Sequence, residues 1–199
     1  MGVKLNLKKL RKEISESKAA RDAVEKAFKK QLENRQDKLL TEFNEHPVTQ
    51  EIELGNGSPN ISRTLGGYGN LFTFLGFEED SDPIKIVRDY LAQEIKYRIT
   101  KSSVDSRGFR VYFKVEIPGI KDLTTLTYLS HLGRSWLTGV EQGKVDGFQY
   151  YLNRWRKMRG SRSGKGVQID NKLRNSNVKP VAYVNNMLKK FRASLERIK

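Results

Sequence analysis

Apolar residues fall three or four positions apart through the first quarter of the chain, at Leu7, Leu10, Ile14, Ala20, Val24, Ala27, Phe28, Leu32, Leu39 and Phe43. That spacing predicts one long amphipathic helix from Leu5 to about Glu45. No Pro or Gly lies between Val3 and Pro47, and charges such as Asp22 with Lys26 and Glu25 with Lys29 stand four apart, where they support a helix. The stripe is thin, and Ser17 and Arg35 interrupt it. A thin stripe on so long a helix suits packing against a sheet or another subunit better than burial inside a globule. A two-stranded coiled coil or a poorly ordered arm are the alternatives. The heptad is imperfect and the flanking charges are not systematic, which counts against the coiled coil.

After Pro47 the pattern changes. "VTQEIEL" alternates and predicts a strand, while "GNGSPN" and "LGGYGN" supply turn residues. "NLFTFLGF" is an apolar run that suits a short strand or a loop pressed into the core. "DSDPIKIVRDYLAQEIKYRI" predicts a helix with Ser81 or Asp82 as cap, Pro83 at its first position, and Ile84, Val87, Leu91 and Ile95 facing inward. "YRITKSSVDSRGFRVYFKVEIP" reads as a hairpin. Its second arm puts Phe109, Val111, Phe113, Val115 and Ile117 on one face, and Arg110, Tyr112, Lys114 and Glu116 on the other. "GIKDLTTLTYLS" either continues the sheet or begins a short helix. Ser135 to Leu152 reads as folded core and turn. Pro180 opens a final helix with Val184, Met187, Leu188, Phe191 and Leu195 as its stripe.

These elements predict an α+β fold: a long N-terminal helix, a small antiparallel sheet with one packed helix, and a C-terminal helix. Four segments follow. Residues 1–46 are the N-terminal helix, 47–152 an α+β core, 153–178 a basic flexible loop, and 179–199 the C-terminal helix.

Composition sharpens this picture at three points. Charged residues reach 31% against 37% hydrophobic, which implies a modest core carrying solvated elements. The absence of cysteine removes disulfides, thiolate metal sites and thiol catalysis. The net charge of +15 is lopsided, since residues 151–199 hold 14 Lys and Arg against only Asp170 and Glu196. Such a block seeks a polyanion or an acidic protein surface. No run approaches the roughly 18 apolar residues of a membrane span, and "MGVKLNLKKLRKE" lacks a signal-peptide core. Asn6 stands where a myristoylation signal needs Ser or Thr.

Parts for catalysis are few. His46 sits before Pro47, where a turn or cap role is ordinary. His131 lies near Ser130 and Ser135 without a nucleophile-elbow pattern around it. Glu78, Glu79 and Asp82 could hold a divalent cation on paper, and an enzyme reading would rest on them. Their place before Pro83 favours capping and helix-dipole roles. "GSRSGKG" fails as a phosphate loop: three residues, not four, separate Gly160 from Gly164, and Gly166 occupies the hydroxyl position. "TLGGYGN" misses the dinucleotide spacing and reads as a conformational turn. No cofactor is implied.

The segment "YYLNRWRKMRGSRSGK" interleaves Tyr150, Tyr151 and Trp155 with Arg154, Arg156, Lys157, Arg159, Arg162 and Lys165. Aromatic rings stack on bases while cations neutralise phosphates, so a sequence-nonspecific nucleic-acid grip is one reading. The other puts Tyr151 and Trp155, four apart, on a buried face with the cations outside it. No named RNA- or DNA-recognition module is present.

"WLTGVEQGKVDGFQYYL" (Trp136 to Leu152), following a long charged helix and a small sheet and leading into a terminal helix, resembles the tail-completion or head–tail connector proteins of tailed bacteriophages. "EHPVTQEIELG" and "SRTLGGYGNLFTFLGF" share that character. The resemblance covers the order of elements over most of the chain, on short motifs. It implies a structural, non-enzymatic virion protein of the neck or upper tail, assembled in the host cytoplasm as a homo-oligomeric ring. Its partners would be copies of itself, neighbouring neck and tail proteins, and packaged double-stranded DNA, with no membrane. In the family the Glu-x-Gly segment is a loop after strands, with a terminal helix packing back on the sheet. This chain is longer than typical members, and "RKMRGSRSGKGVQIDNKLRNSN" reads as an enlarged loop. Leu10, Val24, Phe28 and Leu32 are the expected assembly residues. Arg154, Arg156, Lys157, Arg159, Arg162 and Lys165 are the expected contacts to a polyanion or an acidic neighbour.

Overall fold

Ser17 divides the N-terminal helix. The computed structural model describes residues 11–14, 17–66, 69–105, 108–130, 133–143 and 179–198. Residues 11–14 form a helical turn, and helix α1 (Lys18–Glu45) begins afresh after Ser17. The Ser17 backbone is extended, and its hydroxyl accepts the Ala20 N–H at 3.4 Å. The side chain therefore caps a new helix where an unbroken one was expected, because a serine hydroxyl competes with the backbone for its amides.

α1 ends at His46, which also starts α2 (Pro47–Glu53): its backbone N–H returns to Phe43 and its Nδ1 accepts from the Val48 N–H at 3.3 Å. The strand expected for "VTQEIEL" is thus a helix. Val48 and Ile52 lie four apart, a spacing that satisfies both a strand's period of two and a helix's face, and the His46–Pro47 start decides in favour of the helix. "NLFTFLGF" likewise folds as a helix, α3 (Leu71–Leu75), capped by Asn70 and ended by Gly76 at φ 69°. α4 (Pro83–Gln93) starts as expected, with Asp82 accepting the Lys85 N–H at 2.9 Å and Ile84, Val87 and Leu91 buried.

The hairpin is β1 (Lys96–Asp105) and β2 (Gly108–Glu116), antiparallel. Tyr97 and Ile99 lie opposite Val115 and Phe113, while Ser102 and Val104 lie opposite Val111 and Phe109. Thr100 is the extra residue between Ile99 and Lys101. This bulge shifts the alternation of β1 by one, so its apolar positions stay on the same face as those of β2. α5 (Ile120–Leu126) follows, then the short pair β3 (Tyr128–Leu129) and β4 (Arg134–Ser135). α6 (Trp136–Gln142) is capped by Ser135 and ended by Gly143 at φ 64°. α7 (Val184–Leu195) begins four residues after the expected Pro180. The intervening chain is held instead by tertiary contacts: Lys179 N–H donates to Thr64 at 2.9 Å, and the buried Tyr183 hydroxyl bonds Thr49 at 2.5 Å.

The fold is α+β as expected and mostly helical. One core cluster runs from Phe28, Leu32, Leu39 and Phe43 of α1, through Phe72, Leu91 and Trp136, to Met187, Leu188 and Phe191 of α7. α7 runs antiparallel along α1, with Arg35 Nε donating to Ser194 O at 3.2 Å and Lys190 paired with Glu42. Among the described residues no helix is long and apolar enough to cross a membrane.

A candidate docking groove

The structure distributes the sequence-derived candidates unevenly. Arg154, Arg156, Lys157, Arg159, Arg162 and Lys165 lie outside the described residues, as do Leu10 and His131. Glu78, Glu79 and Asp82 are exposed. Asp82 caps α4, and Glu79 accepts from the Asn56 amide at 3.2 Å. Among the described residues, no group of three or more His, Asp or Glu is placed to hold a metal ion.

Glu51 is a charged residue that sequence patterning did not single out. It is fully buried, and its carboxylate accepts from the backbone N–H groups of Ser62 and Leu71, each at 2.7 Å, and from the Asn60 amide at 2.8 Å. Every strong acceptor direction is used, so Glu51 organises the turn-rich segment before α3 and is not poised for chemistry. Glu141, within the quoted family-like segment, has a comparable role. The Glu-x-Gly loop expected there is the end of helix α6, and Glu141 Oε1 accepts the Asn185 N–H at 2.7 Å, capping the start of α7. Burial pushes its carboxyl above the usual range, while the backbone hydrogen bond and Lys189 pull the other way.

The assembly candidates lead to a surface feature. Phe28 is buried in the chain's own core, stacked on Phe113 with ring centres 3.9 Å apart and edge-on to Tyr97 at 5.3 Å. The Tyr97 hydroxyl donates to Glu25 at 3.1 Å, and burial, then Glu25, raises its pKa. Leu32 is buried one turn further along α1. Val24 remains half-buried. It opens a groove of about 920 Å³ bounded by α1, the hairpin and the end of α7.

Val24, Ala27 and Phe28 line the groove from α1, and Leu195 and Ile198 line it from the C-terminal end of α7 and the residues after it. The hairpin wall comes from the apolar face of β2, with Phe109 and Val111 toward the tip and Phe113 and Val115 toward the base. Phe113, Val115, Leu195 and Ile198 also pack on the core cluster, whereas Phe109, Val111 and Val24 do not belong to it. The groove therefore has a floor that the fold itself needs and an outer apolar wall that the fold leaves half covered. Glu196 is the single carboxylate among its described lining residues, and Arg192 is directed toward the Pro118 carbonyl at 3.4 Å. Such a surface is equipped to take apolar side chains.

The opposite face of the hairpin carries Lys96, Arg98, Lys101, Arg110 and Lys114. Arg98 reaches Glu116 at 3.8 Å, Arg110 reaches Asp105 at 3.4 Å, and Lys96 pairs with Glu94. The alternation in β2 made both faces legible. The groove itself was not, because it exists only where three elements distant in sequence meet.

No family model matches the chain, and neither a curated protein nor a solved structure matches it.

Proposed function

We propose that the chain is a non-enzymatic assembly subunit that builds a ring with copies of itself. The kind of protein we have in mind is a neck or tail-completion component of a tailed phage, joining neighbouring virion proteins of head and tail. The half-open apolar groove beside the hairpin supports this reading most. A two-stranded ribbon is marginal alone, and here Phe109 and Val111 of its apolar face are only half covered. A concave apolar surface paired with a different patch on the next copy makes a heterologous contact, the kind that closes into rings. The resemblance of Trp136 to Leu152 and the order of elements supply the phage context.

The test has two arms. Purified chain is examined by native mass spectrometry across a concentration series, and purified particles are probed for the chain by peptide mass spectrometry. A symmetric oligomer or stable incorporation into particles is expected, and Val111→Asp should weaken it without lowering thermal stability appreciably. A folded monomer at every concentration that is also absent from particles refutes the reading.

A second reading, a sequence-nonspecific nucleic-acid binder, is supported by the basic outer face of the hairpin together with the basic last quarter of the chain. It predicts duplex DNA affinity that falls steeply with salt. Absence of binding at low salt removes it.

A further inference from the structure

We infer that the outer face of the hairpin is a platform for single-stranded nucleic acid, on which Tyr112 stacks an unpaired base and the cations around it hold phosphates. The inference rests on the nucleic-acid reading above, and names the surface and the form of strand that it takes. The first observation is the bulge. Thr100 is the extra residue of β1, and its hydroxyl donates to the Tyr112 carbonyl at 3.1 Å. Without it, continued alternation would send Lys101 to the apolar face and Ser102 and Val104 outward. With it, Lys101 stands on the outer face directly opposite Tyr112.

The second observation is the charge. Arg98 lies directly opposite Lys114, and like charges opposed across a ladder destabilise it. This face supplies little to offset them. Glu94 pairs with Lys96 and Asp105 with Arg110, while Glu116 is 3.8 Å from Arg98. Lys101 and Lys114, which flank Tyr112 across and along the ribbon, have no ion pair among the described residues. The counter-charge for this centre has to come from outside the described fold, and the chain's net charge of +15 attracts a polyanion toward it.

The third observation is the ring. Alternation sets Tyr112 on the face away from Phe113, which stacks on Phe28. Tyr112 keeps 46% of its surface in water, and its ring has no aromatic partner among the described residues. An exposed ring set between cations is suited to a single strand, because the ring stacks a base while the cations neutralise the phosphates beside it. A duplex turns its base faces onto one another, and an acidic polypeptide has no base to offer. Neither would use the ring.

The full-length chain is titrated into a fluorescent mixed-sequence DNA strand, and separately into its duplex, with anisotropy read across a salt series and poly-glutamate as competitor. The single strand should bind more tightly than the duplex and resist poly-glutamate. Tyr112→Ala should weaken binding roughly tenfold with the salt slope unchanged, and Tyr112→Phe should bind like the parent. Lys101→Ala and Lys114→Ala should each lower the slope by about 0.7. A strand carrying iodouracil, irradiated on the bound chain, should crosslink to the tryptic peptide from Val111 to Lys114. Duplex bound as tightly as the single strand overturns the inference, as does displacement of the strand by poly-glutamate at equal charge concentration. Undiminished binding by every hairpin variant, with crosslinks in residues 151–199 instead, overturns it while leaving the nucleic-acid reading intact. No binding of either form at low salt defeats both.

Discussion

The Glu51 carboxylate accepts the backbone N–H of Leu71 at 2.7 Å, joining the end of α2 to the first residue of α3 across twenty positions of chain. The same carboxylate takes the Ser62 N–H and the Asn60 amide. One buried charge thus fixes the course of a segment rich in Gly, Ser and Asn that has little apolar content of its own. Glu51→Ala would leave these donors without their acceptor and should cost roughly 3–5 kcal/mol. Glu51→Gln retains one carbonyl oxygen but turns an amide toward donors, and should cost less than alanine. Chemical denaturation checks both; an alanine variant within about 1 kcal/mol of the parent would refute this account.

Tyr183 and Thr49 form a second buried pair, with the Tyr183 ring between Phe43 and His46. Burial drives the Tyr183 phenol far above its usual pKa, so it stays neutral. Tyr183→Phe should destabilise by roughly 1–3 kcal/mol, because the Thr49 hydroxyl is left unpaired in the core. Adding Thr49→Val should recover part of that loss. A double-mutant cycle on equilibrium unfolding measures the coupling, and simple additivity would show the bond contributes nothing.

His46 gives the fold an acid sensitivity. As a neutral ring it accepts the Val48 N–H to start α2 and hydrogen-bonds the Ala182 backbone. Desolvation lowers its pKa below the ordinary 6.5, and Lys190 adds to the lowering, against the opposing Ala182 bond and Glu42. A depressed histidine pKa means that the folded state binds the proton less readily than the unfolded chain. Its stabilisation is therefore complete above 6.5 and declines as pH falls through that value toward the folded pKa. His46→Asn keeps an N-cap without a titrating ring, so its stability should change less between about pH 7.5 and 5.5. Equal slopes for parent and variant would eliminate His46 as the source.

Phe28 holds the hairpin to α1 through Phe113 and Tyr97. Phe28→Ala should cost roughly 3–5 kcal/mol. The loss should also appear locally, as accelerated amide exchange in β1 and β2, because a two-stranded ribbon has little stability without the face it rests on. Uniformly accelerated exchange, with no excess in the hairpin, would place the role of Phe28 elsewhere.

The elements most legible in the sequence were those with strong local signals. Asp82–Pro83 fixed the start of α4, and the alternation from Phe109 to Val115 identified β2 and its half-buried face. The terminal stripe from Val184 to Phe191 was likewise found at its expected place in the core. Where local signals were shared between states they misled. "VTQEIEL" fits two periods, and Pro180 marks a helix start that Tyr183 delays by anchoring the chain first. Of the candidate site, Phe28 and Val24 were legible as an apolar stripe, but not that one would be buried and the other left at a groove.

By itself the sequence determined the α+β class, the two apolar stripes of α1 and α7, the two-faced hairpin and the concentration of positive charge near the C-terminus. These follow from periodicity and composition, which are local properties. Only the tertiary structure decided that Glu51 would be buried with its donors around it, and that α1, β2 and α7 would enclose a groove. Both depend on partners brought from other segments of the chain, and a hydrogen-bond donor or an apolar wall supplied from outside the element leaves no mark on the local pattern.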